Sequence, residues 1–253
     1  MTAEQLEMIK ALLPTSLGSE EIRTTIAADI LRQSVFSARM ENARYLAQVR
    51  AVCAQVAGGG MNLADARMVL TRTLRNMGHD TANASGITDP ASRRRLDLII
   101  NTRTEMAANA ARVNSQTPAT CYAYPAWELV RYEGRRMPRD WAARWKAAGN
   151  AVGWVGVARD ATEMVALKDS PIWGALGNGA GGYRDTLGNP YPPFAFSSGM
   201  DWSGVRRPRC IALGLITADT PPQVPERVGM APSDDEIAEA SQRAGMNLAG
   251  GLQ

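Results

Sequence analysis

The placement of aromatic rings constrains this chain more than any other feature. All six tryptophans, and thirteen of the fifteen aromatic residues, lie between Tyr122 and Trp202. Residues 1 to 121 hold only Phe36 and Tyr45, and nothing aromatic follows Trp202. Rings carry the largest apolar area a core can use. A chain so divided reads as three segments: an Ala-rich helical domain over 1–121, an aromatic, Gly/Pro-rich docking domain over 122–216, and an extended arm with a short C-terminal helix over 217–253. The 253 residues suffice for one large domain or two small ones. Hydrophobic residues at 45% and charged residues at 21% are ordinary globular values and exclude wholesale disorder.

The first segment carries helical periodicity. Leu6, Ile9, Leu12 and Leu13 recur at helix spacing until Pro14 and Gly18. Ser19 then caps a new start, with Glu20 and Glu21 in the turn where the helix dipole favours acids. No Gly or Pro follows until Gly58-Gly59-Gly60, and Ile22, Ile26, Ile30, Val35, Met40, Leu46, Val49 and Val56 extend one stripe. Unbroken, that is about 58 Å of helix; Gln33-Ser34 offers a break. Asn62 caps a helix ending at Gly78, and Asp89-Pro90 opens another running to about Val113.

The second segment is irregular. Pro125 opens a short helix over AWELVRYEG, and Pro138 another over RDWAARWKAAG, with Trp141 and Trp145 on one face. Residues 151–159 read as a strand, Pro171 starts a helical turn, and residues 177–200, rich in Gly and Pro, read as loop. Cys210 to Ile216 is a short apolar run. Ser233-Asp234-Asp235-Glu236 has the form of a capping box and predicts a last helix to about Ala244. The expected fold class is mainly α: long N-terminal helices followed by an irregular α+β module.

Several chemistries lack their residues. One histidine, His79, removes every mechanism that needs two, including HExxH metalloproteases. Cys53, Cys121 and Cys210 are too few and scattered for a zinc cage or disulfide scaffold, and Cys53 lies on the apolar stripe. Gly177 to Gly182 match GxGxxG, but with a helical turn before them where a dinucleotide site needs a strand; a loop is the better account. Glu128, Glu133, Asp140, Asp160 and Glu163 are spread over separate elements and define no acid–base pair. No catalytic residue, metal ligand or cofactor is therefore expected. The N-terminus lacks the uncharged core of a signal peptide, and no apolar run approaches the length of a membrane span. A compartment with reduced thiols is the expectation, and the sequon Asn83-Ala84-Ser85 reads as a chance match.

The net charge of +3 does not by itself predict nucleic-acid binding. Locally, Arg93-Arg94-Arg95 sits in the first turns of a helix, where cations oppose the dipole; an acidic partner or nucleic acid is one account, a solvated face the other. Arg206-Arg207-Pro208-Arg209 is similar. Trp and Tyr interleaved with Arg between Trp127 and Trp145 suit either stacking on nucleic acid or core packing.

One succession is more specific. YPAWELVR, MPRDWAARWKAAG, MVALKDSPIW, LGNPYPPFAFSSGMDW and CIALGLI occur in that order within residues 122–216. They resemble the C-terminal portion of minor head, or head-morphogenesis, proteins of tailed bacteriophages. SVFSARMENARYLAQVRAV, MVLTRTLRNMGHD and DLIINTRTEMAANAA are similar to the helical lead-in of the same group. The resemblance spans roughly residues 30–216, with PYPPF its most specific part. Mu-type members carry Asp-x-Arg-Thr-Arg-x-x-His and a closing Cys-Arg-Cys; here Pro138-Arg139-Asp140-Trp141 and the lone Cys210 stand in those regions, so no role of those residues carries over.

The resemblance implies a structural virion component, without enzymatic activity, at the portal vertex in head assembly or head–tail joining. Portal protein and other head or neck proteins are the implied partners, with self-association into a ring, and location in the virion and in host cytoplasm during assembly. The expected partner-binding anchors are Trp127, Trp141, Trp145, Trp173, Tyr191, Phe194, Phe196 and Trp202, and the candidate nucleic-acid contacts Arg93, Arg94 and Arg95. The readings from other classes are a small phage-encoded hydrolase or transferase and a DNA-contacting protein of the packaging channel.

Overall fold

The computed structural model describes residues 1–153, 163–229 and 234–243. The chain divides into two compact units: unit 1 takes residues 1–111 and the chain from 229 onward, unit 2 takes residues 112–228. The division falls ten residues before the composition change at Tyr122, and the C-terminal helix belongs to unit 1.

Unit 1 begins with α1 (Ala3–Met8), whose Thr2 and Gln5 form a capping box. Strand β1 (Ala11–Leu12) pairs in parallel with β2 (Ser34–Val35). Between them lie α2 (Ser19–Thr25) and α3 (Ala28–Arg32). Helix α4 (Ala43–Ala57) starts where the Asn42 side chain accepts from the Tyr45 N–H, and stops at the glycines, where Gly59 takes a φ of 77°. Helix α5 (Leu63–Asn76) is capped by Asn62. Helix α6 (Arg93–Asn114) crosses from unit 1 into unit 2.

The expected long helix over residues 19–57 is not formed. Helix occupies 46% and strand 10%, so the fold is mixed, helical with small sheets, and not mainly α with long N-terminal helices. The reason is that the apolar stripe serves two cores. Ile22, Ile26, Ile30 and Leu31 pack with Leu13 and Ala240. Val35, Met40, Tyr45, Leu46, Val49 and Cys53 pack with Leu70, Leu74, Leu96 and Ile100. One straight rod cannot reach both. The chain turns instead at Ile26, which is extended, pairs Ser34 and Val35 with β1, and turns again at Arg39, at a φ of 57°. Periodicity registers the apolar face but not these interruptions, which three successive β-branched residues at Thr24, Thr25 and Ile26 favour. Asp89-Pro90 makes a turn rather than a helix start, and Ser92 accepts from the Arg95 N–H one turn later.

Unit 1 also buries an ionic group. Glu7, fully buried, takes Arg103 Nε at 2.6 Å on Oε1 and Lys10 Nζ at 2.7 Å on Oε2. Arg103 also donates to the Ser34 carbonyl, and Arg50 to the Lys10 carbonyl. Burial pulls the Lys10 ammonium below its usual range, against the pull of Glu7. Glu7→Gln would leave two buried cations facing no anion; unit 1 is predicted to lose about 3–5 kcal/mol, read from urea unfolding.

The Cys53 thiol is pushed up from 9.0 to about 12, chiefly by burial and next by the Glu7 carboxylate. Its folded value lies above its unfolded one, so the stabilisation is complete below pH 9 and is lost as the pH rises toward 12. Unfolding curves of wild-type and Cys53→Ala protein between pH 8 and 10.5 should differ by a constant up to pH 9 and converge above it.

Candidate interaction surface

Unit 2 is built around three antiparallel strands in the order β4-β3-β5: β3 (Ala126–Arg131) at the centre, β4 (Val165–Leu167) and β5 (Met200–Val205) at its sides. The helix expected over AWELVRYEG is therefore strand β3. Its Trp-Glu-Leu-Val-Arg run alternates in burial as a half-covered strand does, and β-branched and aromatic residues fit a pleated face. Around the sheet lie α7 (Pro118–Ala123), α8 (Trp141–Ala151), α9 (Ile172–Asn178) and α10 (Arg207–Ala212). Helix α10 takes the apolar run near Cys210. Helix α11 (Asp234–Arg243) returns to unit 1, ending close to the expected Ala244. The strand expected over residues 151–159 lies largely outside the described residues, as does Ser233 of the capping box.

Register places Trp127 and Leu129 of β3 on the same face as Trp202 and Gly204 of β5. Trp127 and Trp202 stack with centroids 3.8 Å apart and planes 9° apart. Trp173 meets Trp202 edge-on at 5.2 Å and Trp145 at 5.2 Å, and Phe194 closes the group. Trp173 Nε1 donates to the Leu167 carbonyl. The opposite face carries Ala126, Val165 and Val205, covered by Cys210 and Ile216.

Seven of the eight expected anchors, Trp127, Trp141, Trp145, Trp173, Tyr191, Phe194 and Trp202, are thus buried inside unit 2. Phe196 is half-buried. These tryptophans and Phe194 meet one another inside the unit. GNGAGG is not loop throughout: Gly177 and Asn178 are the last residues of α9, Gly179 is its left-handed cap, and the loop begins there. A Cβ on Gly177 would sit 1.7 Å from the Asn189 carbonyl oxygen, so glycine lets two backbones touch there. The three successive arginines that open α6 also separate. Arg95 is buried and donates to the Thr88 and Ala38 carbonyls and to Ser37 Oγ; Arg93 faces Asp97 at 3.5 Å; Arg94 is exposed.

What unit 2 shows to solvent is a different set. Tyr122 on α7 is 54% exposed, and Tyr124 and Ile211 are exposed too. The Tyr122 ring lies under the Arg207 guanidinium, 4.2 Å from its centroid. Arg207 Nη2 also donates to the carbonyls of Thr217, Ala218 and Thr220, which fixes the cation over the ring. Tyr124 rests against Gly204, where any side chain would meet its ring at 3.3 Å. Ile211 stands one turn beyond Arg207 on α10. The sequence pattern singles out neither Tyr122, Tyr124 nor Ile211, and marks Arg207 only as part of a basic run. The available signal was Cys-Tyr-Ala-Tyr-Pro itself: two rings flanking the entry to a central strand, with the buried Cys121 beside them.

Among the described residues, no group of three or more His, Cys, Asp or Glu is arranged to hold a metal. No described helix is long and apolar enough to cross a membrane. Compared with known proteins, the chain matches no family model, no curated protein and no solved structure.

The two sets of rings should separate in stability. Trp202→Ala is predicted to cost about 3–5 kcal/mol, whereas Tyr122→Ser and Tyr124→Ser each change unfolding by less than about 1 kcal/mol. Urea titrations followed by circular dichroism read both.

Proposed function

We propose that the chain is a non-enzymatic structural component of a tailed-phage head, a minor head protein or head–tail adaptor that docks at the portal vertex through unit 2. The observation that carries this reading is the Tyr122–Arg207 face: an exposed ring fixed under a guanidinium, with Tyr124 and Ile211 beside it, on short helices backed by a sheet. Tyr and Arg are the residue types that dominate protein interfaces, because each combines apolar area with a polar end. The Arg207 hydrogen bonds hold the pair before any partner arrives, which lowers the ordering cost of binding.

The ordered series of segments from YPAWELVR to CIALGLI, similar to phage minor head proteins, supports the biological setting. In that setting the partners are portal protein and other head or neck proteins. A vertex component meets a symmetric neighbour, so a ring of identical copies is the matching arrangement.

The test is particle composition. Mass spectrometry of purified virions should find the wild-type chain in a fixed ratio to portal protein. The Tyr122→Ser/Tyr124→Ser double variant should fold normally and fall at least about tenfold in particles. Equal incorporation of the double variant would exclude this face, and absence of the wild-type chain from particles would exclude the function.

A further inference from the structure

At the other end of β3, about 17 Å along the strand from Ala126, the chain leaves the sheet as a loop over residues 131–139 with a different surface. It presents Arg131, Tyr132, Arg135, Arg136, Met137 and Arg139. Tyr132 is 52% and Met137 87% exposed. The loop is tied to the body of unit 2. The Tyr132 N–H donates to the Gly199 carbonyl, and Arg139 donates to the Phe196 and Ser197 carbonyls and to Asp185 Oδ2 at 2.7 Å. Arg131 donates to the Arg139 carbonyl, which closes the loop on itself. Gly199, at a φ of 65°, lets the Glu133 carbonyl approach closer than any Cβ would allow.

Asp185 joins this loop to the neighbouring turn. It takes Arg139 and also Arg144, at 2.8 Å, and the Arg144 guanidinium lies 4.2 Å over the Tyr183 ring. Burial opposes ionisation of Asp185, but these two cations hold its carboxyl below the usual range. Arg184, between Tyr183 and Asp185, is exposed. The face thus gathers six guanidiniums (Arg131, Arg135, Arg136, Arg139, Arg144, Arg184) against three carboxylates (Glu133, Asp140, Asp185). Its excess of positive charge equals that of the entire chain. Arg136 and Arg184 have no hydrogen bond or ion pair among the described residues. Structure thus uses Arg139 and Arg144, and leaves Arg136 and Arg184 to meet an external anion.

We propose that this face binds a single strand of nucleic acid, with Arg131, Arg136 and Arg184 on successive phosphates and Tyr132 as the platform for a stacked base. A chain of phosphates offers separate anions to separate guanidiniums, and forked donors suit phosphate oxygens. A half-exposed ring among arginines is the arrangement that holds single strands without reading their sequence. The buried Arg95 and the paired Arg93 of α6 are not available for this role. The site is separate from the Tyr122–Arg207 face and does not depend on the docking proposal.

The experiment uses the full chain and fluorescence anisotropy with labelled twenty-residue oligothymidine, oligouridine, a DNA duplex and a polyglutamate peptide of equal length, at 50 and 200 mM salt. Wild-type protein should bind the two single strands, with affinity falling steeply as salt rises. Arg136→Gln/Arg184→Gln, which removes no structural contact, should weaken binding about tenfold and reduce the salt slope by about two. Tyr132→Ser should weaken the single strands and leave the duplex unchanged. Comparable binding of thymidine and uridine strands supports backbone-and-base recognition; a preference for one names the natural strand. Unchanged affinity of the double arginine variant, equal binding of polyglutamate, or no binding by wild-type protein at 50 mM salt would overturn the proposal.

Discussion

A sheet of three short strands has little width, yet unit 2 must bury most of the aromatic surface of the whole chain. The stack of Trp127 on Trp202 meets that demand. It depends on a diagonal pairing across β3 and β5; Gly204, directly opposite Trp127, leaves room for the Tyr124 ring. Trp173, Trp145 and Phe194 then roof the stack from α9, α8 and the loop before β5. Edge-on and offset contacts of this kind add to area burial, since ring edges meet ring faces. The Gly/Pro-rich segment is consequently a lid on a core. Gly177 touches the Asn189 backbone, Asn189 Nδ2 donates to the Pro193 carbonyl, and Phe194 is fully buried.

Unit 1 is organised by a charge as well as by apolar area. Helix α1 is only six residues long and could not hold its place by propensity. Leu6 enters the interior and Glu7 beside it binds Lys10 and Arg103. Arg103 continues to the Ser34 carbonyl, so one guanidinium ties α1, α6 and β2 together. A buried ion pair seldom adds much to stability over an apolar substitute. Its value here is geometric: three elements distant in sequence meet at one set of directional bonds.

Much of this was legible in the sequence, and the failures have physical causes. Asn62, the glycines after α4 and the C-terminal end of α6 near Val113 were readable because caps and breakers act locally, whereas the Asn42 cap and the start of α6 at Arg93 were not. Cys53 was correctly placed by its neighbours on the stripe. The helix over residues 19–57 failed because periodicity cannot tell one face on one core from one face divided between two. AWELVRYEG failed because its central position in a sheet is set by β4 and β5, 34 and more residues downstream. The tryptophans were expected to face a partner, and the described ones are buried inside unit 2. A ring-rich, Gly/Pro-rich segment has the same composition whether its rings face a partner or one another, and only register distinguishes the two.

That distinction also decides how the surface can work. Tryptophan has the greatest area to lose from water and one donor to satisfy, so it goes inside; tyrosine keeps its hydroxyl wet while presenting an apolar ring. Unit 2 follows this division in part: Tyr122, Tyr124 and Tyr132 lie outside and the described tryptophans within, while Tyr191 is also buried. Each exposed ring of α7 and the 131–139 loop has arginine nearby, but the arginines differ in what remains of their charge. Arg207 is spent on three carbonyls and a ring and acts as a fixed part of an apolar face. Arg139 and Arg144 share Asp185 and stiffen the loop. Arg136 and Arg184 keep theirs. A surface whose cations are already neutralised favours shape and area, the terms that bind another protein; one whose cations remain uncompensated favours a polyanion and gives it a salt-dependent affinity. The two ends of β3 therefore suit different partners, although both are built from tyrosine and arginine.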